Sequence, residues 1–189
     1  MPNPVFTIGH STHSTERFIT LLKFNRVSAI CDVRSSPYSR MAPQFNREAL
    51  AFALKKNGIE YVFLGKELGA RSTDSSCYVN GKVQYDRLAR TDLFQKGIER
   101  VKSGMSRFQI ALMCAEKDPL ECHRSILISR QLDEAGIAVE HIQSDGSRET
   151  HAEAVARLRR NLKHPEQDLF QSPIEVRRSL SSPSVANRV

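Results

Sequence analysis

Short β-forming runs alternate with amphipathic helical patterns along most of the chain, and this alternation limits the fold more than any other feature. Residues 5–8, 29–33, 59–64, 108–114 and 137–142 are apolar or β-branched runs. Between them lie stretches with helical spacing, such as Phe18, Ile19, Leu21 and Leu22. Such alternation predicts parallel strands joined by right-handed crossover helices, hence a three-layer αβα fold around a mostly parallel, Rossmann-like sheet. The run at 108–114 is the most continuous apolar stretch, which places it centrally and buries both of its faces.

Capping and turn residues mark the boundaries. Ser14 or Thr15 starts the first helix, Asn46 starts a helix over 47–56, and Asn57-Gly58 ends it. Further helices are predicted at 87–102, stopped by Gly104, at 125–135, closed by Gly136, and at 152–162, where Arg157, Arg159 and Arg160 make the last helix basic. Residues 70–86 form a long polar insertion in which Asn80-Gly81 lies between β-formers, the pattern of a hairpin or flap. The chain therefore divides into one α/β domain over residues 1–163 and a Ser/Pro/Arg-rich tail at 164–189, which has little to bury and is expected to be disordered.

A net charge of +7 and a pI near 9.5 favour an anionic small molecule or nucleic acid as partner, although the excess is spread out and part of it sits in the tail. No apolar run approaches eighteen residues and no apolar signal core opens the chain, so a soluble, cytoplasmic, non-membrane protein with reduced thiols is expected. Oligomeric state has no signature in the sequence.

In open α/β sheets ligands bind outside the carboxyl ends of the strands. The fold predicted here brings Gly9, His10 and Ser11, then Asp32 and Arg34, then the loop from Gly65 to Glu67, and finally Cys114 and Glu116 to one such rim. The stretch from Cys114 to Arg124 is the richest in chemistry. It leads from the central strand through a proline turn to a helix, and it carries Cys114, Glu116, Cys122, His123 and Arg124.

Cys122, beside a helix N-terminus and next to His123 and Arg124, is the candidate nucleophile, because helix amides and a cation favour thiolate. Glu116, Glu67 and His10 are candidates for proton transfer. Arg34, Arg40 and Arg124 are candidates for binding a phosphate or carboxylate, with Gly9, Ser11, Asp32, Cys114 and His123 lining the site. Each has a structural alternative: Cys114 as a small buried hydrophobe, His10 as a hydrogen-bonding strut, and either Arg34 or Arg124 as the partner of Asp32, Glu67 or Glu116.

Several familiar chemistries are absent. A zinc site from Cys114, Cys122, His123 and His10 is disfavoured because adjacent Cys122 and His123 point apart in most backbones and no Cys-x-x-Cys knuckle is present, so no metal or cofactor is expected. A zinc-deaminase motif fails because Leu120, and not cysteine, follows Pro119. No arginine stands six residues after Cys114 or Cys122, and the chain contains no Walker loop, Gly-x-Gly-x-x-Gly or Gly-x-Ser-x-Gly.

In their joint order, Thr7 to Ser11, Asp32-Val33-Arg34 with Pro37, Ser39 and Arg40, Phe45, the run from Leu64 to Gly69, Cys114-Ala115-Glu116, Cys122-His123-Arg124 and His141 resemble the uncharacterised family numbered 488 among the domains of unknown function. The resemblance spans roughly residues 5 to 143 and implies a compact α/β domain without a settled activity. Three functions stay open on sequence grounds. The first is an enzyme, a hydrolase or transferase, acting on a nucleotide, nucleic-acid component or other anionic substrate at the rim. The second is a non-catalytic nucleic-acid-binding module, and the third is cysteine-based thiol or sulfur chemistry.

Overall fold

The structure, a computed structural model, describes residues 3–162; the tail predicted at 164–189 lies outside the described residues. The elements run β1 (Val5–Gly9), α1 (Thr15–Phe24), β2 (Ala29–Asp32), α2 (Arg47–Lys56), β3 (Glu60–Phe63), α3 (Gly65–Leu68), β4 (Tyr78–Val79), β5 (Lys82–Val83), α4 (Tyr85–Ala89) and α5 (Asp92–Met105). After β6 (Ile110–Cys114) a π-helical segment, Arg124–Ser129, leads into α6 (Arg130–Glu134), followed by β7 (Val139–Ile142), β8 (Arg148–Thr150) and α7 (His151–Leu162).

The main sheet is six-stranded in the order β3-β2-β6-β1-β7-β8. All its neighbours pair in parallel except β7 and β8, so the expected three-layer α/β fold with a mostly parallel sheet is what the chain adopts. Strand β6 sits between β1 and β2, and all five of its residues are buried, as its unbroken apolar sequence requires.

Alternation along the strands sends side chains to two cores. Ile110, Leu112 and Cys114 join Val5, Ala29 and Cys31 in a core covered by Leu88, Phe94, Ile98 and Leu132, which belong to α4, α5 and α6. Ala111 and Met113 join Phe6, Ile8 and Ile30 in a second core covered by Phe18 and Leu22 of α1 and Leu50 and Leu54 of α2. The connection from β1 runs to β2 on one side of β6, whereas that from β6 runs to β7 on the far side of β1. The carboxyl ends of β1 and β6 thus form the topological switch point at which such sheets open a crevice.

The Asn-Gly hairpin forms as expected, β4 pairing antiparallel with β5 through Tyr78–Val83 and Val79–Lys82. Ser14 caps α1 by accepting a hydrogen bond from the Arg17 amide. The single helix expected at 87–102 is instead two. Thr91 breaks it, since its hydroxyl accepts from the Phe94 amide and starts α5, which continues through Gly104 to Met105. Strand β8 was not anticipated; it is a three-residue antiparallel edge strand of polar residues. No helix among the described residues is long and apolar enough to cross a membrane.

Candidate functional site

Register on either side of β6 determines which loops meet. Gly9 lies level with Cys114 across the β1–β6 pair, and Asp32 level with Met113 across β2–β6. Beyond the strand ends the pairing continues: the His10 amide donates to the Cys114 carbonyl at 2.9 Å, the Ser11 amide to Ala115 at 2.9 Å and the Val33 amide to Met113 at 3.1 Å. The loops predicted to share a rim therefore do so. Two glycines make this close approach sterically feasible, since a Cβ on Gly9 would run into the Glu116 carbonyl and one on Gly65 into the Arg34 carbonyl.

The turn after β6 is built by local polar contacts. The Asp118 carboxylate accepts from the Leu120 amide at 2.9 Å and starts a 3₁₀ turn, Pro119–Glu121, with proline at its first position, where no amide is needed. Cys122 then has extended backbone (φ −132°, ψ 139°), while His123 is already helical (φ −58°, ψ −24°). This change of conformation between neighbours turns both side chains the same way, correcting the expectation that they point apart. The His123 Nδ1 lies 3.8 Å from the Cys122 sulfur and 3.8 Å from that of Cys114. The two sulfurs and this nitrogen all fall within 4.8 Å of one another, and all three residues are buried.

Hydrogen bonds hold this cluster in place. His123 Nε2 is 3.0 Å from the Val33 carbonyl, which can only accept, so Nε2 carries a proton and the ring directs Nδ1 toward the sulfurs. Cys122 Sγ and Glu116 Oε2 share a hydrogen bond at 3.0 Å, and the Arg124 amide approaches the same sulfur at 3.5 Å. Glu116, unlike the other three, is exposed.

The electrostatics follow from these contacts. Burial alone would raise the Cys122 thiol, but hydrogen bonds from Cys114 and His123 and the charge of Arg124 outweigh it and hold the group well below the ordinary thiol range. Cys114, which donates to Cys122 and is itself buried, is displaced upward. His123 is raised in spite of its burial by the Cys122 sulfur, and burial together with the Cys122 charge raises Glu116.

The remaining sequence candidates are engaged elsewhere. Arg34 forms a bidentate pair with Asp32, through Nε at 2.9 Å and NH2 at 2.6 Å, and also donates to the Phe45 carbonyl at 2.8 Å. The Tyr61 hydroxyl donates to the same Asp32 at 2.7 Å. His10 stacks on Phe45 with centroids 4.4 Å apart, directs Nδ1 to the Ser11 carbonyl and receives Arg34 NH1 on Nε2 at 3.3 Å, which occupies both ring nitrogens.

Arg124, 1 % exposed, gives its two terminal nitrogens to the Glu116 and Lys117 carbonyls at 2.8 and 3.1 Å and so ties down the turn. Glu67 pairs with Arg100 of α5, away from the sulfurs, and Arg40 is exposed on its loop. In the final helix Arg157 is bound by Asp118 and Glu149. A groove of about 790 Å³ borders the site at Lys117 and Asp118, but acidic Glu121, Glu149 and Glu153 balance Arg148, Arg157 and Arg160 along it, and neither Glu116 nor Cys122 lines it.

Val33 and Tyr61 have structural parts in this rim that the sequence did not single out: a backbone carbonyl that fixes the His123 tautomer and a hydroxyl that completes Asp32. A carbonyl leaves no mark in the residue type, and Tyr61 reads as one more β-former.

The family model for the domain of unknown function DUF488 matches residues 14–131. The chain belongs to the DUF488 family. The matched span includes Arg34, Cys114, Glu116, Cys122, His123 and Arg124, and it leaves Gly9, His10 and Ser11 of this DUF488 protein to its N-terminal side. No curated protein and no solved structure matches the chain.

Proposed function

We propose that this DUF488 protein is an enzyme, a hydrolase or transferase, with a cysteine-centred active site at the carboxyl rim of the sheet. Cys114, Cys122 and His123 form the reactive centre, and Glu116 transfers protons. The observation that carries this reading is the placement of two sulfurs and an imidazole nitrogen beside a solvent-exposed carboxylate at the switch point of the sheet. Of the three functions open on sequence, cysteine-based chemistry gains most from the geometry. Recognition of an anion by Arg34 and Arg124 loses support, because both guanidinium groups are engaged with Asp32 and backbone carbonyls. The nucleic-acid module loses one of its cations to Asp118 and Glu149.

Glu116 is suited to proton transfer because it is exposed to solvent and touches the Cys122 sulfur. The test is a turnover screen over carboxylic esters, thioesters, phosphate esters and nucleotides, with Glu116→Gln and Cys122→Ser compared with Glu99→Gln, an exposed partner of Lys102 on α5. Turnover falls by roughly 10²–10⁴-fold in Glu116→Gln, the ordinary size of a lost general acid or base, and is retained in Glu99→Gln. Activity that survives both Glu116→Gln and Cys122→Ser at the wild-type rate would overturn the reading.

A further inference from the structure

We infer that Cys114, Cys122 and His123 bind a zinc ion through Sγ, Sγ and Nδ1, with the fourth position open toward Glu116. The inference deepens the reading of this rim as the active site and rests on it for the role of Glu116. Three independent features carry it.

The first is shape. Bond lengths of about 2.3 Å to sulfur and 2.0–2.1 Å to nitrogen at tetrahedral angles put ligand sulfur and nitrogen about 3.6 Å apart. Both sulfur–nitrogen separations here are 3.8 Å, so these two edges are already nearly those of a zinc tetrahedron. A single hydrogen bond would draw His123 Nδ1 toward one sulfur; equal distances to both suit a centre that they share.

The second feature is orientation. Metal-bound histidines characteristically donate their other ring N–H to a carbonyl or carboxylate, which aims the ligating nitrogen. His123 does this through the Val33 carbonyl at 3.0 Å, and the Arg124 amide approaches the Cys122 sulfur at 3.5 Å. The third is charge balance in a buried place. Two thiolates neutralise a divalent cation, so the loaded cluster carries no net charge into the interior, and the guanidinium of Arg124, the residue after His123, is already engaged by carbonyls.

Two cysteines and a histidine with an open fourth position are a ligand set found in catalytic zinc sites, where the fourth ligand is water or substrate. Zinc lowers the pKa of such a water to about 7. A bound zinc would supply an activated water at its open position, and Glu116 Oε2, 3.0 Å from the Cys122 sulfur, is the residue placed to accept a proton from it. The expectation that no metal binds rested on divergent side chains and on the lack of a Cys-x-x-Cys knuckle; the backbone change at Cys122 and His123 removes the first ground.

The experiment is titration of the full reduced chain, stripped by chelator, with zinc and then with cobalt(II). The expected result is stoichiometric zinc uptake, and with cobalt a thiolate-to-metal charge-transfer band together with the intense visible absorption of a tetrahedral ion. Cys114→Ser, Cys122→Ser and His123→Ala should each lower zinc affinity by more than the roughly 10–100-fold that loss of a supporting outer contact costs, and should weaken or abolish the charge-transfer band. Glu116→Gln, which leaves the three ligands and removes the proton acceptor, should keep both binding and band; its exposure makes it the variant least subject to misfolding.

Failure to take up zinc, or uptake that persists unchanged with both cysteines replaced, would overturn the metal site. If metal is absent while Glu116→Gln still abolishes turnover, the metal inference falls and the rim remains the active site. If zinc binds through these ligands and turnover ignores both Glu116→Gln and Cys122→Ser, the ion stands as a structural site and the reading of the rim as catalytic falls.

Discussion

Two groups of buried polar residues flank β1 at opposite sides, and they treat their histidines differently. On the β7 side, the Thr7 hydroxyl meets His141 Nδ1 at 2.7 Å and His141 Nε2 meets His151 Nδ1 at 3.2 Å, with both rings buried. Every hydrogen-bonding position of His141 is satisfied within the protein, and burial, with the charges of neighbouring His151, Arg124 and Arg157 adding to it, lowers His141 to about 3. On the β6 side, His123 uses one nitrogen for the backbone and turns the other toward two sulfurs. Burial is common to both groups; what sets the second apart is its donor set, two sulfurs and an imidazole nitrogen within 4.8 Å of one another, which suits a metal ion. The Asp32–Arg34–His10 network belongs with the first, since its members satisfy one another. Substitutions in the self-satisfied groups should therefore cost stability, and substitutions at Glu116 should cost activity.

The largest effect is expected at Asp32, which is fully buried between Arg34 and Tyr61. Asp32→Ala leaves the Arg34 charge buried and uncompensated and should lower unfolding free energy by about 3–5 kcal/mol, measured by urea denaturation. A loss below about 1 kcal/mol would mean that Arg34 finds solvent easily and could serve an external anion after all.

Next comes His141→Gln, which disturbs two buried hydrogen bonds at once and should cost about 1–3 kcal/mol in the same measurement, with the zinc and cobalt titrations unchanged.

Acid should act in the same direction. His141 titrates at about 3 and His10 at about 4 when folded, both lowered chiefly by burial, against about 6.5 when unfolded. Above pH 6.5 both states are neutral and stability is flat. Below it the unfolded chain takes up protons that the folded chain refuses, so stability falls with pH until the folded values are reached. Between pH 6.5 and 5 each such histidine should remove about 1.5 kcal/mol. His141→Gln should therefore flatten the profile by one histidine's share, and an unchanged slope would show that His141 does not stay neutral in the folded protein.

The smallest effect on stability is expected at Glu116→Gln, within about 0.5 kcal/mol, as for exposed positions generally. Paired with lost turnover, this would give the reverse of the result at His141. Equal stability losses at the two positions would erase the distinction between the groups.

Much of this architecture is written in local patterns. The unbroken apolar run of β6 places it at the centre, and the order of loops after β1, β2 and β6 makes the rim predictable from alternation alone. The misses have local physical causes. Strand β8 is three polar residues held by pairing with β7, so hydropathy gives no sign of it. The division between α4 and α5 turns on one hydroxyl, that of Thr91, inside a pattern that otherwise reads as continuous helix.

At the site, the identities of Cys114, Glu116, Cys122 and His123 were legible as chemistry, but their convergence was not. It depends on one residue of extended backbone following a 3₁₀ turn and meeting the first helical residue, a φ/ψ change that no composition encodes. The roles of the arginines were obscured for a different reason. The partners of Arg124 are carbonyls, which every residue carries, and that of Arg34 is the carboxylate two positions earlier, one of several acidic groups the sequence offers.

The sharpest separation between a metal-binding cluster and one more satisfied polar network is the X-ray absorption spectrum of the zinc-loaded full chain at the zinc edge. The structure predicts a first shell containing two sulfurs at about 2.3 Å and a light-atom contribution at about 2.0–2.1 Å from His123 and the open position, with one sulfur lost in Cys122→Ser. A first shell of nitrogen and oxygen alone, or one indifferent to Cys122→Ser, would contradict it.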